Sequence, residues 1–139
     1  MTIKVSHLIA LLTAAVSFVL SYIFEIFMGN VEQYMGIISV VFVDGFFGVC
    51  AGIKREGFKT YKAIKILKTA FAWVIILSAI LMVEKGFVGA GWLSETIIIP
   101  FMVFELISAL KNASMSGFIK VEILNKILDK IDSHKGFRL

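Results

Sequence analysis

The chain has 139 residues, of which 59% are hydrophobic and only 17% are charged. Ordinary soluble domains contain about 25% charged residues, and a soluble chain of this length and a mean hydropathy of +0.93 would lack the polar side chains needed to cover its outside. A single cysteine, Cys50, excludes an intramolecular disulfide and a cysteine-rich zinc site. The net charge of +4 is not accompanied by a nucleic-acid-binding motif, so we expect no nucleic-acid partner.

Four apolar runs follow one another along the chain. They cover about residues 8–28, 34–53, 66–83 and 93–110. At a rise of about 1.5 Å per residue, about 20 residues cross a hydrocarbon core of about 30 Å. Strands would be much shorter, and the alternation typical of a membrane barrel is missing from the sequence. The pattern therefore predicts an all-α integral membrane bundle of four transmembrane helices, with Ser94 as the N-cap of the fourth.

A shorter segment with the pattern of an amphipathic helix follows the fourth run. Apolar residues share one helix face within residues 118–131: Val121, Leu124, Leu128 and Ile131. A segment this short is marginal as an isolated helix. We therefore expect it to rest on the membrane surface, on the bundle, or on the same segment of a neighbouring copy.

The lysine and arginine residues indicate which connections face the cytoplasm. With four crossings, thirteen of the 14 Lys and Arg residues fall on one side, and only Lys85 falls on the other. Because basic residues concentrate on the cytoplasmic side of a membrane protein, both termini are expected in the cytoplasm. This topology predicts a transmembrane four-helix domain at residues 1–112 and a cytoplasmic amphipathic tail at residues 113–139.

The connection between the second and third runs carries a dense basic cluster. We expect it to set the topology and to contact lipid headgroups. Its members are Lys54, Arg55, Lys59, Lys62, Lys65 and Lys68. Lys68 lies one turn into the third run, where two arrangements are open. It either pairs with Glu105 of the fourth run or extends its side chain back to the headgroups, and the second arrangement is favoured slightly.

Asp44 is the most informative polar residue, because it lies near the middle of the second run. A charge at that depth costs about 2.5–3.5 kcal/mol on insertion scales, so the carboxyl group should face protein or water, or be protonated. Two interpretations are open: Asp44 lines a pore or joins copies in an oligomer, or it bonds to a neighbouring helix. A proton relay is less favoured, because Glu25 and Glu105 lie toward opposite sides of the membrane.

Small residues surround Asp44 on the second run. Gly48 and Gly52 form a GxxxG pattern, and Gly45 extends the same small surface. In lipid, small residues let helix backbones approach closely. We therefore predict a helix-packing face here, either within one copy or between copies.

The sequence contains no arrangement of residues typical of catalysis. It has no phosphate-binding glycine loop, no metal-binding helix motif, and no nucleophile with a base near it along the chain. We therefore expect no enzymatic activity, no cofactor and no metal site.

Residues 34–132 resemble the small phage-lysis and toxin-secretion holins. That family has an Asp and a Gly four residues on within a crossing, which here are Asp44 and Gly48. A lysine-rich loop containing a glycine follows, as at residues 54–59. A glutamate motif then stands in the last crossing, here at Glu105 in the sequence FELIS, and a short amphipathic tail ends the pattern.

The resemblance implies a homo-oligomer in the bacterial inner membrane that permeabilises the lipid bilayer and releases an endolysin or another cargo. It assigns Asp44, Gly48 and Glu105 to oligomer contacts or to the pore, and the small-residue face adds Gly45 and Gly52. Two other functions stay open. One is an accessory or structural subunit that binds a larger partner through the tail. The other is a small ion- or proton-coupled transporter, which the absence of an inverted repeat in the sequence disfavours.

Overall fold

The computed structural model describes residues 2–136, and it describes the side chains of residues 4–134. All the secondary structure in this part of the chain is helical: α1 Thr2–Gly29, α2 Val31–Glu56, α3 Thr60–Gly86, α4 Leu93–Met115 and α5 Val121–Gly136. The first four helices are long and apolar enough to cross a membrane. The predicted membrane bundle of four spanning helices with a short C-terminal helix is therefore confirmed.

Helix α2 lies at the centre of the bundle, between α3 and α4. α2 and α4 run parallel, because Gly36 faces Met102 near one end while the Phe47 carbonyl accepts a hydrogen bond from Ser116 near the other. Helix α1 packs on α2 and α3, and α5 packs on α4. We refer to the two ends of the bundle as the Asn30 end, where α1 meets α2, and the Gly57 end, where α2 meets α3.

The apolar core fills the half of the bundle near the Asn30 end. Ile37 and Leu77 are fully buried there, and the rings of Trp73 and Phe101 stack with centroids 3.5 Å apart. Tyr34 is also buried, and its hydroxyl group hydrogen-bonds to Ser78 of α3 at 2.8 Å. Since buried polar groups are costly without a partner, this bond lets a tyrosine occupy the core and ties α2 to α3.

Most of α1 extends away from the other helices. Its residues 4–21 are exposed, and Ile26 is its one buried side chain among those described. Glu25 forms an ion pair with Lys85 of α3 at 2.6 Å, and the Lys85 ammonium group lies over the Tyr22 ring. An apolar helix that packs only near its C-terminal end has its remaining surface covered by lipid in a bilayer.

Helix α4 is capped differently from the prediction. Ser94 is not the N-cap, because the helix begins at Leu93 with Trp92 in the capping position. Instead, the backbone N–H of Ser94 donates to the Glu84 carboxylate of α3 at 2.6 Å. An acidic group satisfies free N–H groups and the positive end of the dipole at a helix N-terminus, so a side chain distant in sequence takes the role that Ser94 was expected to fill.

We expect Glu84→Ala to lower the free energy of unfolding by about 1 kcal/mol, the usual cost of losing an N-terminal cap. Glu84→Gln should cost less, because the amide oxygen still accepts from Ser94. Thermal unfolding in detergent, followed by circular dichroism, measures both. Equal stability of the alanine variant and the unmodified chain would show that the contact does not stabilise α4.

Candidate functional site

Asp44 bonds to α4 of the same copy. It lies near the middle of α2, half-buried, and its Oδ1 atom accepts a hydrogen bond from the Asn112 amide at 3.0 Å. The contact matches one of the two arrangements expected from the sequence, a bond to a neighbouring helix. Whether Asp44 also takes part in assembly stays a prediction.

Glu105 lies beside Asp44. The two side chains line the same cavity of about 420 Å³ between α2, α3 and α4, and their carboxyl groups interact directly. Two carboxylates in contact repel each other when both are charged. The nearby ammonium group of Lys65 attracts Glu105 and offsets part of that repulsion. The helices therefore bring together two acidic residues that the sequence places about sixty positions apart.

The cavity is polar, and it lies in the half of the bundle near the Gly57 end. Tyr61, Lys62, Lys65 and Thr69 of α3 supply the rest of its polar lining. The apolar core lies in the other half. Each copy therefore combines an apolar half with a half whose polar groups can bind water, and Asp44 lies near the boundary between them.

The small-residue face of α2 is used inside the copy. A Cβ atom at Gly45 would lie 2.4 Å from the Ile66 side chain of α3, which shows how closely these helices approach. Gly48 faces the Asn112 amide, and Gly52 is buried beside the Lys62 ammonium group. The glycines thus position α2 against α3 and α4 around the cavity. Whether they also take part in assembly stays a prediction.

The basic cluster divides into groups with different surroundings. The Lys54 ammonium group donates to the backbone carbonyl of Ser116, at the end of α4, where a positive charge complements the helix dipole. Lys62 and Lys65 line the cavity, whereas Arg55 and Lys68 are exposed and are not part of its lining.

Lys59 forms an exposed ion pair with Glu56 at 2.8 Å. The hydrogen bond to Glu56 and the charge of its carboxylate raise the pKa of Lys59. Lys59 therefore keeps its positive charge throughout the neutral range.

The Lys68–Glu105 pair that was weighed from the sequence does not appear among the ion pairs of the described side chains. Lys65, close to one turn earlier, is the lysine that acts on Glu105. The exposure of Lys68 is compatible with the favoured interpretation, in which its side chain extends toward the headgroups.

Sequence reasoning missed Asn112 and Ser116. Both lie beyond the fourth apolar run, which ends near residue 110, yet α4 continues to Met115. The signal that would have identified them is their spacing: Asn112 lies one heptad after Glu105, and Ser116 follows four residues later, so all three share the face of α4 that meets α2.

No group of three or more His, Cys, Asp or Glu side chains within the described residues could hold a metal ion. The site itself is a polar contact between helices, in which the Asp44 carboxylate, the Asn112 amide and the Lys62 and Lys65 ammonium groups lie around one cavity.

Four spanning helices with a polar site at depth define an integral membrane helical bundle. A sequence model of the bacteriophage holin family matches residues 18–133, which is most of the chain. The chain belongs to the bacteriophage holin family, and the resemblance to holins is thereby confirmed. The holin family is not a family of enzymes. No curated protein and no solved structure matches the chain significantly.

Proposed function

We propose that copies of this chain assemble in the bacterial inner membrane and open a lesion that releases an endolysin or another cargo. The observation that carries the proposal is the Asp44–Asn112–Glu105 cluster, which lies at depth in the spanning bundle beside a polar cavity. Ionisable groups at that depth are costly unless they face protein or water. Membership of the holin family supports the same function.

A lesion of this kind requires more than one copy. In the half of a single bundle near the Asn30 end, α2, α3 and α4 meet through buried apolar side chains such as Ile37, Leu77 and Phe101. A protein-sized cargo therefore needs a passage between copies. In such an assembly, Asp44 and Glu105 lie on a side that meets water or a second copy, and Gly45, Gly48 and Gly52 hold α2 in the position that presents them.

The proposed topology places both termini and the Gly57 end on the cytoplasmic side. The basic cluster lies at the Gly57 end, as the positive-inside rule requires, and Lys85 lies at the Asn30 end, where it pairs with Glu25. Residues 1–112 then form the membrane domain, and the tail of residues 113–139 stays in contact with cytoplasmic water. The basic side chains that face outward at this end, Arg55 and Lys59 among them, contact the headgroups.

The test is release of dyes of increasing size from bacterial cells during controlled expression of the chain alone. We expect large dyes to escape at a sharp time after induction, because a lesion forms only once enough copies have assembled. Uninduced cells provide the control. If no dye escapes although the chain is inserted in the membrane, the proposal is wrong. Gentle purification in detergent would then be used to look for a stoichiometric partner, which an accessory subunit requires.

A further inference from the structure

Helix α5 folds back along α4, on the side of α4 that faces away from α2. Ile98, Phe101 and Asn112 of α4 face the bundle. A groove of about 740 Å³ lies between α5 and the opposite face of α4, where Ile99, Val103 and Leu106 line it.

The two helices overlap along most of the length of α4. His134, close to the end of α5, borders the same groove as Ile99 and Pro100. Ile99 precedes the last residue of α4, Met115, by 16 positions, or about 24 Å of helix. Because α4 is a spanning helix, α5 lies beside the part of α4 that is inside the hydrocarbon region.

The turn between the two helices is fixed by several contacts. Gly117 has a positive φ of 84°. The backbone N–H of Phe118 donates to the backbone carbonyl of Ala113 at 2.9 Å, and this bond closes the last turn of α4. The ring of Phe118 contacts Phe47 of α2, and Lys54 binds the Ser116 carbonyl. The α4–α5 hairpin is therefore anchored to the bundle at the Gly57 end.

Helix α5 has two distinct faces. Its apolar face lies toward α4, with Leu124 buried to 8% exposure and Leu128 and Ile131 half-buried. Its opposite face is exposed and carries charged residues of both signs: Glu122, Lys126 and Asp129. We call this surface the charged face of α5.

Lipid chains are a poor environment for the charged face. Charged side chains inside the hydrocarbon region almost always face the interior of a bundle or a water-filled space. The charged face instead points outward from a single copy. Its charges also have mixed signs, whereas a helix that binds an anionic membrane surface concentrates Lys and Arg on its polar face. A hairpin at this depth therefore requires water beside it.

We propose that α4 and α5 enter the membrane as one hairpin, and that in an assembly of copies the charged face of α5 borders water continuous with the cytoplasm. The inference rests on the proposed function and deepens it, since it assigns the wall of the water-filled space to α5. The acidic and basic side chains of neighbouring copies can pair along this wall, because both signs occur on every copy.

The test uses spin labels on the full chain in liposomes, with Cys50, the single native cysteine, replaced by serine. One label is placed at Ser133→Cys on the charged face, where no charge is lost. The matched reference is Phe71→Cys, which is exposed on α3. Both positions lie about 17 Å along their helices from the Gly57 end. Collisions with a water-soluble nickel complex and with oxygen report whether each label meets water or lipid.

We expect the Ser133 label to collide with the nickel complex and the Phe71 label to collide with oxygen. In the doubly labelled chain, the distance between the labels should agree with the structure. A Ser133 label in water together with a longer or broader distance would show that α5 has left α4, and a Ser133 label that meets oxygen as Phe71 does would place lipid against the charged face. Either result overturns the inference.

Dye retention in the same liposomes separates this inference from the proposed function. Full retention of dye, with the hairpin intact and its charged face in water, would contradict the lesion while supporting the water-facing hairpin. Release of dye from liposomes in which α5 has left α4 would support the lesion and refute the role of α5.

Discussion

Replacing Gly45 with alanine is expected to lower the free energy of unfolding by about 1–3 kcal/mol, the usual cost of forcing extra volume into a packed core. The new Cβ atom would lie 2.4 Å from Cγ1 and 2.8 Å from Cγ2 of Ile66. A β-branched side chain has one strongly preferred χ1 rotamer in a helix, so turning Ile66 away from the new methyl group is unfavourable and we expect α2 to move from α3. Unfolding in detergent, followed by circular dichroism, measures the loss.

Two further variants identify the cause. Gly86→Ala adds the same methyl group where no atom lies within 4 Å, so it should be neutral or slightly stabilising. Combining Gly45→Ala with Ile66→Ala removes the atoms that clash. Measured against Ile66→Ala alone, the Gly45→Ala change should then cost less free energy of unfolding than it does in the unmodified chain. If Gly45→Ala unfolds at the same temperature as the unmodified chain, α2 and α3 do not lie in close contact at Gly45.

Replacing Asp44 with leucine is expected to delay or abolish dye release and to change the oligomer size, while membrane insertion persists. Leucine removes the acceptor for the Asn112 amide and the polar group at the boundary of the cavity, and it makes the helix more favourable to insert. Asp44→Asn should have a smaller effect, because its amide oxygen still accepts from Asn112. Release time in cells and oligomer size after crosslinking report the two effects.

The matched control is Glu32→Leu, which replaces an exposed acidic residue on the same helix near the Asn30 end. It removes the same charge without touching the cavity, so release should stay close to that of the unmodified chain. If Asp44→Leu leaves both release and oligomer size unchanged, Asp44 has no part in assembly. If Glu32→Leu has an equal effect, the loss reflects acidic charge on α2 in general.

Much of the fold follows from features that are local in sequence. The lengths of the apolar runs and the lack of alternation predicted four spanning helices, because a bilayer imposes one length on every crossing. The spacing of Leu124, Leu128 and Ile131 predicted α5. The position of Asp44 identified the polar site, because a carboxyl group at that depth needs a partner.

The remaining features depend on which helices meet. Hydropathy placed Asn112 outside the fourth crossing, so its bond to Asp44 was not foreseen. The cap on α4 comes from Glu84 on another helix, whereas local reasoning chose Ser94. The amphipathic pattern of α5 fits packing on the membrane surface, on the bundle or on a neighbouring copy equally well. The structure shows α5 packed on the bundle. These contacts are set by packing between segments distant in sequence.

Liposomes that contain only the purified chain provide the most direct test of the proposal that this holin opens a lesion. They are loaded with a small dye and a dye of protein size, and the protein-to-lipid ratio is raised in steps. The proposal predicts that both dyes are retained at low ratios and released together above a threshold ratio. Retention of the large dye at every ratio, with the chain shown to span the bilayer, would contradict it.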